Sequence, residues 1–171
     1  SKKGTSIYIR NFLLGVEDSL VSTVGLLAGL SRASLTGNII LVSGTVLIFV
    51  EAFSMGIGSF LSEESVQDFT THKDKLSRES IVGAVVMFFS YLVSGLIPLS
   101  PYIFFKAQPA LYVSVALTLV SLFALGAVSA YHFRHKDYLT HAVRTFILGG
   151  LAAVLGIIIG ICFLLRRLVL Q

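Results

Sequence analysis

The sequence predicts an all-α membrane protein, with five transmembrane helices in one bundle. Three observations carry this. Of the 171 residues, 55% are hydrophobic and only 13% are charged, with a mean hydropathy of +0.88, which is too apolar for an ordinary soluble domain. Apolar runs of about 20 residues, long enough to cross a hydrocarbon core, recur five times. Basic residues collect at the ends of those runs, as membrane topology requires.

The runs fall at about 12–31, 39–62, 81–100, 110–131 and 142–165, joined by short connections except for the polar stretch 63–80. The first carries Glu17 and Asp18 in its apolar length and a small-xxx-small pair, Gly25 and Gly29. Two adjacent acids are abnormal for a secretory h-region, so this run is read as a span, not as a signal peptide. The second carries Glu51, with Met55 one turn later, then Gly56 and Gly58 beside that pair. Pro98 and Pro101 lie at the end of the third, and the fourth contains Gly126. The fifth carries a row of small residues, Ala152, Gly156 and Gly160, read as a packing surface that lets two backbones approach. Its Cys162, the sole cysteine, sits in an apolar run and reads as a small buried residue. No second folded domain fits, and lipid forces each spanning backbone to satisfy its own hydrogen bonds.

Charge gives the orientation. Lys2, Lys3 and Arg10 precede the first run; Lys73, Lys75 and Arg78 lie in the second connection; Arg134 and Lys136 lie in the fourth, with Arg144 just beyond. The first and third connections have one basic residue each, Arg32 and Lys106. The positive-inside rule then places the amino terminus in the cytoplasm and the carboxyl terminus on the far side, with Arg166 and Arg167 as the exception. The net charge of +4 does not point to nucleic acid, because no basic stripe with interleaved aromatics exists. No nucleophile with a base and no cofactor motif appears, so an enzyme is not expected. The four histidines lie outside the spans, which argues against haem ligation across the bundle. A prokaryotic plasma membrane is the favoured location, with a vacuolar membrane as the alternative.

The buried acids carry the functional reading. A carboxylate near the bilayer centre costs roughly 2.5–3.5 kcal/mol on insertion scales and usually faces a cavity that handles ions or protons. No lysine or arginine lies at comparable depth in either run. Helical spacing puts Asp18 on one face with Asn11, Gly15, Ser22, Gly25 and Gly29, a small, polar face suited to lining a water-accessible path. Glu17 points about a quarter-turn away, toward Arg10, which could partner it, or toward a neighbouring helix. Glu51 and Met55 stack at i and i+4. Carboxylate oxygen with thioether sulfur favours first-row divalent metals such as Fe²⁺ or Mn²⁺ over Ca²⁺ or Mg²⁺. Protons compete with metal for such carboxyls, so exchange of the two is a natural cycle. Glu64, Asp68 and His72 recur every four residues on a helical continuation of the second span. They could collect cations at the cytoplasmic mouth, or form a solvated amphipathic turn. His132, His135, Asp137 and His141 match no standard zinc spacing and read as a plain loop.

At these residues the sequence resembles the vacuolar iron transporter family. Arg10-Asn-Phe-Leu-Leu-Gly-Val-Glu-Asp-Ser-Leu through Ala28-Gly-Leu-Ser31 resembles the first-helix pattern R-D-x-x-x-G-x-x-D-G-L followed by A-G-L-S. Glu51-Ala-Phe-Ser-Met-Gly-Ile-Gly-Ser-Phe-Leu-Ser resembles the second-helix pattern S-M-G-x-G-x-[YF]-[LV]-[SA]. Gly95-Leu-Ile-Pro98-Leu-Ser-Pro101-Tyr102 resembles the third-helix end G-x-x-P-L-x-P-[YF]. The resemblance implies a five-helix, two-fold homodimer that exports Fe²⁺ or Mn²⁺ from the cytosol by antiport with H⁺. The ion path would lie at the dimer interface between first helices, with no cofactor beyond the transported ions. It implies metal-handling roles for Asp18 and Met55. The sequence departs from the pattern at Ile7, where many relatives carry an acid, at Asn11 in place of aspartate, and at Ser19 in place of glycine. Glu17 and Glu51 are extra acids, and 63–80 stands where the family has a cytosolic metal-binding insert. The expected metal residues are therefore Asp18, Glu51, Met55 and Glu17, with Glu64, Asp68 and His72 behind them. A non-transporting membrane metal sensor or anchoring module is the alternative.

Overall fold

The computed structural model describes residues 2–71, 77–132 and 138–169. They form helices α1 (Lys2–Arg32), α2 (Gly37–Thr71), α3 (Arg78–Leu99), the single turn α4 (Pro101–Phe104), α5 (Ala107–His132) and α6 (Tyr138–Val169). Among the described residues, five stretches are long and apolar enough to cross a membrane: Gly4–Arg32, Gly37–Val66, Arg78–Phe104, Ala107–Ser129 and Phe146–Arg166. Val42, Val46, Phe49 and Phe53 on α2, and Leu151, Leu155 and Ile158 on α6, are exposed. Outward apolar faces of this extent suit lipid, because the solvent around the bundle is then itself apolar.

Helix α1 is the hub, packing against α2, α3, α5 and α6. Its residues Leu20, Val24, Leu27 and Ala28 are almost wholly buried. The helix ends in a Schellman motif: Leu35 N–H donates to Leu30 O at 3.3 Å and Ser34 N–H to Ser31 O at 3.2 Å, with Ser34 left-handed at φ 59°. The turn delivers Leu35 and Leu30 to the same apolar cluster, built on Leu27, Ile40, Ile48, Leu99, Tyr102 and Ala110.

The proline corner after α3 has a hydrogen-bond logic. Pro101 has no N–H to offer the carbonyl of Ile97, so Ser100 Oγ donates to it instead, at 2.9 Å. Ser114 Oγ of α5 donates to Pro98 O at 2.7 Å, which ties the broken end of α3 to α5. Tyr102, turned inward by the corner, meets Ser31 Oγ at 2.9 Å and so fastens the end of α1. The third-helix motif is thus an anchor for the first helix.

The two small-residue rows meet each other. A Cβ on Gly25 would lie 3.2 Å from the carbonyl oxygen of Ala152, and one on Gly29 would lie 3.0 Å from that of Gly156. A Cβ on Gly156 or Gly160 would run into the carbonyl oxygens of Gly25 and Gly29. Backbones this close gain dispersion and weak C–H···O contacts that larger side chains would forbid. Gly156→Ala should therefore destabilise by about 1–3 kcal/mol through forced separation of α1 and α6, and Gly25→Ala by less. Thermal unfolding in detergent, compared between the two variants, checks the order.

Candidate functional site

Helices α1 and α2 are joined by a tight turn and run antiparallel, so residues before Asp18 face residues after Met55. Arg10 forms an ion pair with Glu63. Asn11 Nδ2 donates to Ser59 Oγ at 2.7 Å. Further along, Asp18 and Glu51 are close enough for their charges to act on each other. Glu51, Met55, Ser59 and Glu63 follow one another at four-residue intervals on α2, a row of side chains that winds slowly around that helix. The α1–α2 crevice thus carries two polar cross-links in succession, with Asp18 and Glu51 further in.

Helix α3 backs this crevice. Ser19 Oγ donates to Tyr91 O at 2.7 Å, and the Tyr91 hydroxyl lies 2.7 Å from Ser22 Oγ. Tyr91 is fully buried, and its hydroxyl lies within electrostatic reach of both Asp18 and Glu51. Close approach of α3 to α1 depends on Gly15, where a Cβ would strike Ser90 Oγ and lie 3.0 Å from the Met87 carbonyl oxygen.

The α1 face shared by Asn11, Gly15, Ser22, Gly25 and Gly29 is divided. Asn11 is taken by Ser59 and Gly15 by α3. Ser22 meets Tyr91 and the two glycines meet α6, and these three also border an open groove between α1 and α6. Asp18 is half-buried. Arg10 is bonded to Glu63, so it is not the partner of Glu17, which lies half-buried on α1.

Of the outer candidates, Glu64 is drawn into structure: its Oε1 accepts from Ser77 N–H at 3.2 Å, next to the Ser77 cap of α3. Asp68 continues along α2, and His72 lies outside the described residues. Among the described residues, no three His, Cys, Asp or Glu side chains converge within the single chain. Asp18 and Glu51 are within electrostatic reach of each other, and Met55 follows Glu51 one turn along α2. Sequence reasoning missed Tyr91 and Glu63. Tyr91 could have been noticed as a polar-tipped ring flanked by Ser90 and Ser94 in mid-span. Glu63 looked like the start of a polar connection, whereas α2 runs on to Thr71.

The sequence profile of the VIT family matches residues 9–82 and 70–161. The chain belongs to the VIT family. The match divides at the α2–α3 connection. Curated relatives include vacuolar iron transporter 1 of Oryza sativa subsp. japonica, 26% identical over 85% of this chain and 81% of the relative. Vacuolar iron transporter 1 of Arabidopsis thaliana is 24% identical, covering 85% and 82%. Vacuolar iron transporter homolog 4 of the same plant is 29% identical over 71% of this chain and 68% of its own length. The two longer alignments extend over 205 residues while covering 85% of a chain of 171. Those relatives of the VIT chain thus carry residues that it lacks.

The Tyr91–Ser22 bond gives a clean test of the packing around the acids. Tyr91→Phe and Ser22→Ala should each destabilise the VIT chain, with a coupling of about 0.6–1.7 kcal/mol between them. A double-mutant cycle on thermal unfolding in detergent measures it.

Proposed function

We propose that this chain moves a divalent transition metal, Fe²⁺ or Mn²⁺, out of the cytosol in exchange for protons. The observation that carries the reading is that Asp18 of α1 and Glu51 of α2 come within electrostatic reach of each other, with Met55 one turn along α2 from Glu51. Two carboxylates within reach of each other in an apolar bundle repel unless a cation or a proton stands between them. Metal and proton therefore compete for the same oxygens. Release of one accompanies capture of the other. The thioether adds a soft donor, which favours a first-row transition metal over Ca²⁺ or Mg²⁺. Relatives named as vacuolar iron transporters support this cargo.

The chain works as a homodimer, and the second copy supplies what one site lacks. Two carboxylates and one sulfur leave a divalent ion short of ligands; a two-fold axis beside α1 doubles the set. A groove of about 960 Å³ supports that placement. It opens between α1 and α6 one turn beyond Asp18, along Ser22, Gly25, Gly29 and Gly156. The amino terminus faces the cytosol, as the distribution of lysine and arginine implies. In this reading the chain is a short form of the family. The stretch 63–80 replaces the metal-binding insert, and the extra acid Glu51 strengthens the membrane site in compensation.

Reconstitution tests the reading. In proteoliposomes, Fe²⁺ or Mn²⁺ uptake should be accompanied by proton movement in the opposite direction. Asp18→Asn and Glu51→Gln should each lower metal flux by about tenfold or more, and Met55→Ala should lower it for Fe²⁺ and Mn²⁺. Parent-level flux in both Asp18→Asn and Met55→Ala would sink the site assignment.

A further inference from the structure

The Arg10–Glu63 pair stands at the outer end of the same crevice, and its two members are unequal. The Glu63 side chain keeps 10% of its surface, whereas that of Arg10 keeps 62%. Arg10 can swing its guanidinium into water at little cost. Glu63 is buried, on α2 one turn from Ser59, so its carboxylate has little water of its own. Once Arg10 leaves, Glu63 is a buried carboxylate without a counter-charge, a state costly enough to demand a replacement cation. Glu63 also ends the row Glu51, Met55, Ser59 and Glu63, a little over three turns along α2 from the inner acid Glu51.

We propose that Arg10 and Glu63 form the gate of the cation path, with Glu63 the first carboxylate that an incoming divalent ion meets. In the closed state the guanidinium holds the place on Glu63 that the metal later takes. Opening is then coupled to arrival of cargo: the ion pair breaks as the divalent ion binds Glu63, and Arg10 moves outward to water. The ion advances past Asn11 and Ser59 to Asp18 and Glu51, and Arg10 closes behind it. A divalent cation competes with the single charge of Arg10 better than Na⁺ or K⁺ does, so the pair also filters by charge. This inference rests on the transport reading above.

The test uses the full chain with Mn²⁺ as probe, reading flux in proteoliposomes and equilibrium binding in detergent for Arg10→Gln, Arg10→Lys, Glu63→Gln and the double variant. Glu63→Gln should raise the Mn²⁺ concentration for half-maximal flux about tenfold, and Arg10→Gln should lower it several-fold. Arg10→Lys, which keeps the charge, should restore the parent value, and the double variant should behave as Glu63→Gln. If the pair variants keep the parent half-maximal concentration while Asp18→Asn abolishes flux, transport stands and the gate is refuted. A lowered melting temperature with unchanged half-maximal concentration makes the pair structural only, which also refutes it. If the parent carries no metal, the transport reading fails by itself. Mn²⁺ binding then decides the pair: tightened in Arg10→Gln and weakened in Glu63→Gln supports contact of the ion with Glu63, and no change refutes it.

Discussion

Two carboxylates placed within the apolar length of a membrane bundle are the constraint from which the rest of the architecture follows. Lipid offers Asp18 and Glu51 neither water nor counter-charge, so the helices that carry them must face inward and toward each other. Helix α1 meets this demand by becoming the hub of the bundle, in contact with four others. A hub helix needs a narrow profile. Gly15, Gly25 and Gly29 supply it, letting α3 and α6 close on the backbone. The hydroxyls of Ser22 and Tyr91 then satisfy each other, and that of Ser19 donates to the Tyr91 carbonyl oxygen, so the polar region is held without charged scaffolding.

This arrangement separates two tasks along one helix. The half of α1 before Asp18 is cross-linked to α2 by side-chain polar contacts, an ion pair and then an amide–hydroxyl bond. The half beyond Asp18 is packed by backbone proximity to α6 and fastened at its end by Tyr102. Polar cross-links between side chains open by rotamer changes, whereas backbone packing resists separation. The half of α1 before Asp18 is thus joined to α2 through side chains, while at Gly15 it lies close against the α3 backbone.

Much of this was legible in the sequence. The five spans follow from run length and hydropathy alone, and the acids stand out because nothing else in an apolar run costs as much. The rows at Gly25 and Gly29 and at Ala152, Gly156 and Gly160 announce close packing, although each row by itself does not say which helix it meets. Pairing information was the missing quantity. Arg10 had an acid seven residues away in Glu17, yet its partner is Glu63, 53 residues distant along the chain. Helical spacing ranks neighbours on one helix and is silent about those on another. The polar face of α1 was legible only in part for the same reason: a small residue that borders a groove is equally able to admit a neighbouring helix, and Gly25 and Gly29 do both.

Anomalous X-ray scattering from crystals of the full chain grown with Mn²⁺ tests the central claim most directly. The account predicts an anomalous peak in the crevice between α1 and α2, within coordination distance of Asp18 and Glu51 carboxylate oxygens and beside Met55, lost in crystals of Asp18→Asn. Strong Mn²⁺ peaks elsewhere, with none between those two carboxylates, would contradict it.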